Sequence, residues 1–124
     1  MGKKIIRIYT GTDGESHFED IEIPFPIKRS IVESSDPIKV MEVIFADTGI
    51  RNETGWHNAS RRQFFIILEG EHEIEVTNGT KRILGPGDIL LAEDTTGKGH
   101  TVRPLGDKPH RAVFVVLDPE AIIP

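Results

Sequence analysis

The amino-acid sequence predicts an all-β fold, either an antiparallel sandwich or a barrel. Short β-prone runs follow one another at spacings of about 8–12 residues, and turn-forming residues separate them (12 Gly and 8 Pro). No stretch keeps the 3.6-residue apolar period of an amphipathic helix. The 124 residues are enough for one domain. We therefore expect a single domain over residues 1–124, with the core of the barrel in residues 38–117.

The first third of the chain predicts strand segments separated by polar turns. Residues 5–9 are β-prone, and residues 18–25 alternate between apolar and polar side chains, as in a half-buried strand. Residues 31–32 predict a strand fragment, and residues 38–47 predict the next full strand. Because Pro24 has no backbone donor, we expect residues 18–25 to lie at a sheet edge, together with the N-terminal strand.

The central part of the chain predicts an antiparallel meander over residues 64–102. A polar loop at residues 48–55 precedes it. Turns rich in glycine, asparagine and proline divide the meander, at residues 69–70, 78–79 and 85–88. Residues 111–117 carry apolar side chains on both faces and predict the last strand.

Composition restricts the classes of function. The chain has 15 basic and 20 acidic residues, a net charge of −5, which disfavours nucleic acid as a partner. It has no cysteine, so neither a disulfide framework nor a thiolate nucleophile is available. No run approaches the ~20 apolar residues of a membrane span, and the apolar run after the basic N-terminus is too short for a signal peptide. We expect a cytoplasmic protein that binds a small molecule and contacts neither nucleic acid nor a membrane.

Side-chain alternation along the strands brings four polar residues to one interior space. Residues two apart in a strand share a face. Glutamates occupy every other position of residues 71–76 and require solvent, so His72 is predicted to face inward. The same alternation lets His57, Gln63 and His100 face that interior.

The chemistry of these side chains suggests their roles. His57 and His100 are predicted as a catalytic acid–base pair, since imidazole titrates near neutral pH. Gln63, Arg61 and Trp56 are predicted to bind substrate, Arg61 because it shares a face with Gln63. For each residue a packing or surface role stays open. A surface or strand-edge position is expected for His110.

The residues around His57 and His100 resemble the two motifs of the cupin superfamily. In the first motif, His57 matches the leading histidine and Gly70 the closing glycine, while Ala59 and Gln63 replace the second histidine and the glutamate. In the second motif, the Gly-Asp turn of residues 87–88 and the later histidine, His100, match. The segment over residues 91–100 is similar to a group of small single-domain cupins.

The resemblance implies an antiparallel jelly-roll β-barrel and, in many members, a divalent metal such as Fe, Mn, Ni, Zn or Cu. Here that metal would lie on His57, Gln63 and His100, with His72 as an extra ligand. A metal-dependent isomerase, lyase or oxygenase acting on a small polar substrate is one hypothesis. The alternative is a metal-free ligand-binding or sensor barrel without catalysis. We also expect a homodimer that pairs through the edge formed by the N-terminal strand and the segment with Pro24 and Pro26, because exposed sheet edges need covering.

Overall fold

The computed structural model describes residues 2–49 and 55–124 of the chain. Within these residues there are eleven strands and no helix, which confirms the all-β prediction. The strands are β1 (Gly2–Thr10), β2 (Ser16–Pro24), β3 (Ile27–Arg29), β4 (Val32–Ser34), β5 (Val40–Asp47), β6 (Gln63–Glu69), β7 (Glu71–Val76), β8 (Lys81–Leu84), β9 (Ile89–Glu93), β10 (His100–Leu105) and β11 (Arg111–Leu117). Of the predicted loop at residues 48–55, residues 50–54 lie outside the described part. No described helix has the length and apolarity of a membrane span.

The strands form two main sheets that face each other. Six strands make the larger sheet in the order β2-β1-β9-β6-β11-β5, and three make the smaller one in the order β10-β7-β8. Neighbouring strands are antiparallel except for β1 and β9, which are parallel. The arrangement is a β-sandwich of the jelly-roll kind rather than a strictly closed barrel.

The predicted meander over residues 64–102 is wrong in its pairing. Only β7 and β8 pair as a sequential hairpin, whereas β6 pairs with β9 and β11, and β7 pairs with β10. The turn after β6 is a corner that carries the chain from the larger to the smaller sheet. Gly70 makes this corner with φ +78°, and a Cβ atom there would lie 2.5 Å from the His110 ring. A turn glycine in sequence does not distinguish such a corner from a hairpin.

The core lies between the two sheets, and the apolar side chains of β7 point into it. Apolar side chains of the larger sheet, including Ile8, Phe65 and Ile67, pack in one cluster with Ile74 and Val76 of the smaller sheet. A second cluster covers the outer face of the larger sheet and includes side chains from the C-terminal tail. The predicted alternation along β7 is therefore confirmed.

The two edges of the larger sheet are β2 and β5. The prediction that residues 18–25 lie at an edge is therefore confirmed for β2. The N-terminal strand β1 is not an edge, because it lies between β2 and β9 and both neighbours hydrogen-bond to it.

Gly99 tests how tightly the two sheets are joined next to the candidate site. Its φ is +76°, and a Cβ atom there would lie 2.1 Å from the His57 carbonyl oxygen. Gly99→Ala should therefore lower the free energy of unfolding in urea by clearly more than the ~1–2 kcal/mol that a left-handed backbone costs an L-residue.

Gly79→Ala is the matched control. Gly79 has φ +90°, but nothing lies within 4 Å of its would-be Cβ, so this variant should lose only the backbone cost. Equal losses in the two variants would contradict the close approach of Gly99 to His57.

Candidate functional site

A cavity of about 440 Å³ opens between the two sheets. This volume lies within the range of about 300–1,000 Å³ that is usual for small-molecule sites. Apolar side chains make up most of its wall, namely Phe65, Leu90, Ala92, Val102, Pro104 and Phe114. Its polar lining consists of Asp47, Thr48, His57 and Gln63. The space therefore suits a molecule with an apolar body and a polar end.

His57 and His100 are neighbours, and His100 is buried as predicted. The prediction that His57 faces the interior is wrong, because the residue is exposed at the mouth of the cavity. The backbones of the two histidines form an antiparallel bridge, in which His57 N donates to His100 O over 3.0 Å and His100 N donates to His57 O over 2.8 Å. Their ring centroids lie 4.7 Å apart at an interplanar angle of 56°. The bridge fixes the segment before β6 against the first residue of β10.

The hydrogen bond of the His57 ring determines which nitrogen is available to a ligand. Its Nδ1 lies 2.8 Å from the carbonyl oxygen of Gly55. A carbonyl oxygen only accepts, so Nδ1 carries the proton. In the neutral ring, Nε2 is then the nitrogen with the lone pair, and it can take a proton from a molecule in the cavity.

The His100 ring belongs to a buried network that the sequence analysis missed. Its Nδ1 lies 2.5 Å from Asp94 Oδ2, and the Ser16 hydroxyl donates to the same oxygen over 2.6 Å. All three residues are buried. Strand alternation was a usable signal, because Asp94 follows the inward residues Leu90 and Ala92 at a spacing of two.

The predicted substrate-binding residues divide into one that lines the cavity and two that do not. Gln63 lines it, opposite Ala92 in the neighbouring strand. Arg61 instead forms an ion pair of 2.9 Å with Glu42 at the surface, and Trp56 is 52% exposed. The structure does not bring Arg61 or Trp56 to the cavity wall, so substrate binding by them stays a prediction.

His72 lies in the interior, as predicted, but behind the cavity wall. It is 0% exposed, and its Nε2 lies 2.7 Å from the Thr48 hydroxyl. The ring packs edge-on against Phe65 and His110. Burial, together with the neighbouring His110, lowers the pKa of His72 to about 4, in the direction expected for a desolvated imidazole.

The surface position predicted for His110 is wrong. The residue is 3% exposed. Its Nε2 lies 3.1 Å from Glu71 O and 2.9 Å from Leu105 O. These partners cannot be read from the local sequence, which shows only a polar turn before the last strand.

The metal ligands implied by the family resemblance come together only in part: the rings of His57 and His100 are neighbours, whereas His72 lies behind the cavity wall. Across residues 2–49 and 55–124, no three His, Cys, Asp or Glu side chains form a group that could hold a metal ion. Catalytic zinc sites use three protein ligands, whereas His57 and His100 supply two imidazoles and Gln63 only a neutral amide. The side chains described do not fit the metal site, and binding by His57, Gln63 and His100, with or without His72, stays a prediction.

The comparison with protein families agrees with this architecture. The cupin domain model matches residues 41–116, which is more than half of the chain. The chain therefore belongs to the cupin family, and the resemblance identified from the two motifs is confirmed.

Relatives of the chain are considerably longer proteins. It is similar to the oryzines biosynthesis cluster protein J of Aspergillus oryzae, with 33% identity over 72 residues, 57% of this chain and 38% of that protein. It is also similar to the cupin-domain-containing oxidoreductase srdD of Neurospora crassa, with 32% identity over 77 residues, 62% of this chain and 39% of that protein. The matched region spans less than two-fifths of either relative.

Among solved structures, the protein NMB1881 from Neisseria meningitidis overlaps 75% of this chain and 90% of its own, with a TM-score of 0.44 and 13% sequence identity.

The buried His72 makes stability depend on pH. Between pH 6.5 and about 4 the unfolded state protonates this side chain while the folded state keeps it neutral. The unfolded state then binds more protons, so stability falls as the pH is lowered through this window, by about 3 kcal/mol for a pKa difference of this size. His72→Phe should remove this component, as measured by urea unfolding at a series of pH values.

Ile83→Phe is the control, because Ile83 is 56% exposed and the substitution removes no titratable group. It should keep the pH dependence of the wild-type chain. Parallel pH profiles for the wild type and His72→Phe would show that His72 is not held neutral by the fold.

Proposed function

We propose that this cupin binds a small molecule with an apolar body and a carbonyl end, and that His57 removes a proton from the carbon next to that carbonyl. The observation that carries the proposal is the position of His57 at the wall of a ligand-sized apolar cavity. Its Nδ1 is held by Gly55, so Nε2 is the acceptor. The name of the Neurospora relative, an oxidoreductase, supports an enzyme over a sensor.

The other polar lining residues have separate parts in the reaction. The Gln63 amide can donate a hydrogen bond to the carbonyl oxygen, on which negative charge develops as the C–H bond breaks. The proton moves to His57 Nε2, and the electron pair moves into the enolate. Return of the proton to the opposite face of the same carbon reforms the C–H bond and completes an epimerisation, in which no oxidant is needed.

The lining changes the expected ligand from the small polar substrate of the sequence analysis. Six apolar side chains face the cavity, and each loses contact with water when an apolar group fills it, which favours binding. Ligand binding without catalysis is the alternative, and a metal-dependent reaction is a further one. We derive no step through a metal, because the described side chains do not assemble its ligands.

Ligand binding can be tested by adding small probe molecules to the wild type and to a variant in which a larger side chain on the wall occupies the cavity. Phenol, 4-methylcyclohexanone and 3-methylbutanoate added to ¹⁵N-labelled protein should shift the amide signals of Gln63, Ala92 and Phe114. Ala92→Phe places a ring in the cavity and should abolish these shifts, because Ala92 lies on its wall and is 4% exposed.

Val43→Ala is the control for this experiment, since Val43 is 54% exposed and does not line the cavity. It should bind the probes as the wild type does. Absence of shifts with all three probes, or shifts that persist in Ala92→Phe, would overturn ligand binding at this site.

We also propose that the chain forms a homodimer through the edge of β5. This strand exposes apolar side chains, namely Val40, Met41, Val43, Ile44 and Phe45. The opposite edge, β2, carries three acidic residues and Pro24, which are typical devices against strand pairing. Antiparallel pairing of two β5 strands centred on Val43 is two-fold symmetric, and it places Val43 of one copy opposite Val43 of the other.

Light scattering at micromolar concentration should therefore give twice the mass of the chain. Val43→Lys should give the monomer mass, because it places two like charges opposite each other at the centre of the pairing. Ile83→Lys, at an equally exposed position of β8, should stay dimeric. A monomeric wild-type chain, or a dimeric Val43→Lys variant, would contradict the proposal.

A further inference from the structure

A buried chain of hydrogen bonds runs from β2 to the first residue of β10. The Ser16 hydroxyl and His100 Nδ1 both contact Asp94 Oδ2, at 2.6 and 2.5 Å. Asp94 is 0% exposed, Ser16 1% and His100 4%. Ser16 is 78 residues from Asp94 in sequence, so the fold assembles this network from distant segments and links the larger sheet to the smaller one.

Burial of the Asp94 carboxylate lowers the stability of the fold, because only one of its two oxygens has hydrogen-bond donors among the described residues. Its second oxygen, Oδ1, is buried and has no hydrogen-bond partner among the described residues. A buried polar atom without a partner costs about 1–3 kcal/mol, and more when the group is charged. A buried carboxylate of this kind calls for an explanation, and the two donors at its other oxygen, Ser16 and His100, indicate where it lies.

The geometry at Asp94 Oδ2 determines the tautomer of His100. An ionised carboxylate only accepts hydrogen bonds, so the contact at 2.5 Å requires the His100 proton on Nδ1. In the neutral ring, Nε2 then keeps the lone pair. Ser16 donates to the same oxygen and limits rotation of the carboxylate.

We propose that Asp94 is a positioning residue, which holds His100 in the Nδ1–H tautomer so that His100 Nε2 is a proton acceptor beside His57. The two rings lie 4.7 Å apart, and each has an oxygen acceptor at its Nδ1. His57 at the cavity wall and the buried His100 beside it thus share one tautomer, with Nε2 as the unprotonated nitrogen of each neutral ring. The use of His100 Nε2 in a reaction rests on the proposed function, whereas the tautomer does not.

The tautomer can be read directly from the ¹⁵N chemical shifts of the ring nitrogens in histidine-labelled protein. In the wild type, at a pH where the ring is neutral, His100 Nδ1 should have the shift of a protonated nitrogen and Nε2 that of an unprotonated one. In Asp94→Leu no acceptor remains at Nδ1, so the preference for the Nδ1–H tautomer should be lost and the shifts of the two ring nitrogens should move towards each other. His57 is the internal control and should keep its tautomer, because Gly55 O is unchanged.

Ser16→Ala is the matched control variant. It removes one donor to Asp94 but leaves the acceptor of His100 in place, so the Nδ1–H tautomer should persist. A wild-type His100 with its proton on Nε2 overturns the proposal even if Asp94→Leu does not fold. An Asp94→Leu variant that folds and keeps the wild-type shifts overturns it as well.

The cavity probes separate this proposal from the proposed function. If phenol, 4-methylcyclohexanone and 3-methylbutanoate fail to bind while the ¹⁵N shifts follow the expected pattern, the proposed function fails and the role of Asp94 in fixing the tautomer stands. If the probes bind and His100 carries its proton on Nε2, the cavity is a binding site and Asp94 does not position His100.

Discussion

The site depends on the backbone bridge between His57 and His100. Its two hydrogen bonds, of 2.8 and 3.0 Å, join the segment before β6 to the start of β10 and therefore join the two sheets. The bridge needs a very close approach of Gly99 to the His57 carbonyl, which only glycine permits. Because the bridge fixes both backbones, the two rings lie side by side, with their centroids 4.7 Å apart.

The chemistry of the site follows from this placement. One ring lines a mainly apolar cavity, and the other is buried against a carboxylate. Both are oriented through Nδ1, one by the carbonyl of Gly55 and the other by Asp94. Such oxygen acceptors hold an imidazole in a single tautomer, and that pre-organisation is what a general base requires.

Strand periodicity explains how much could be predicted from the sequence. The all-β class and the inward face of β7 follow from a period of two, which holds regardless of how strands pair. The closeness of His57 to His100 depends instead on the backbone bridge between them, which lies outside the named strands. The pairing itself depends on whether a glycine turn is a hairpin or a corner, and the ring of His110 against Gly70 decides this in three dimensions. The position of Arg61 depends on its attraction to Glu42, a residue of another strand.

The inward position of Asp94 could have been predicted from strand alternation, but its polar neighbours in sequence indicated a loop instead. Acidic and threonine neighbours make the segment after β9 look like a solvated turn, although alternation from Leu90 and Ala92 places Asp94 inward. Its partners, Ser16 and His100, lie 78 and 6 residues away. The burial of this carboxylate can be recognised only from the three-dimensional structure, which brings Ser16 and His100 to it.

Proton transfer to His57 Nε2 from a molecule in the cavity can be measured as deuterium exchange at the carbons next to the carbonyl of 4-methylcyclohexanone in D₂O, followed by NMR in the presence of a chelator. We expect exchange about 10²-fold or more above buffer, the usual contribution of a positioned base, and its loss in His57→Gln. Exchange no faster than in buffer, or exchange unaffected by His57→Gln, would contradict this transfer.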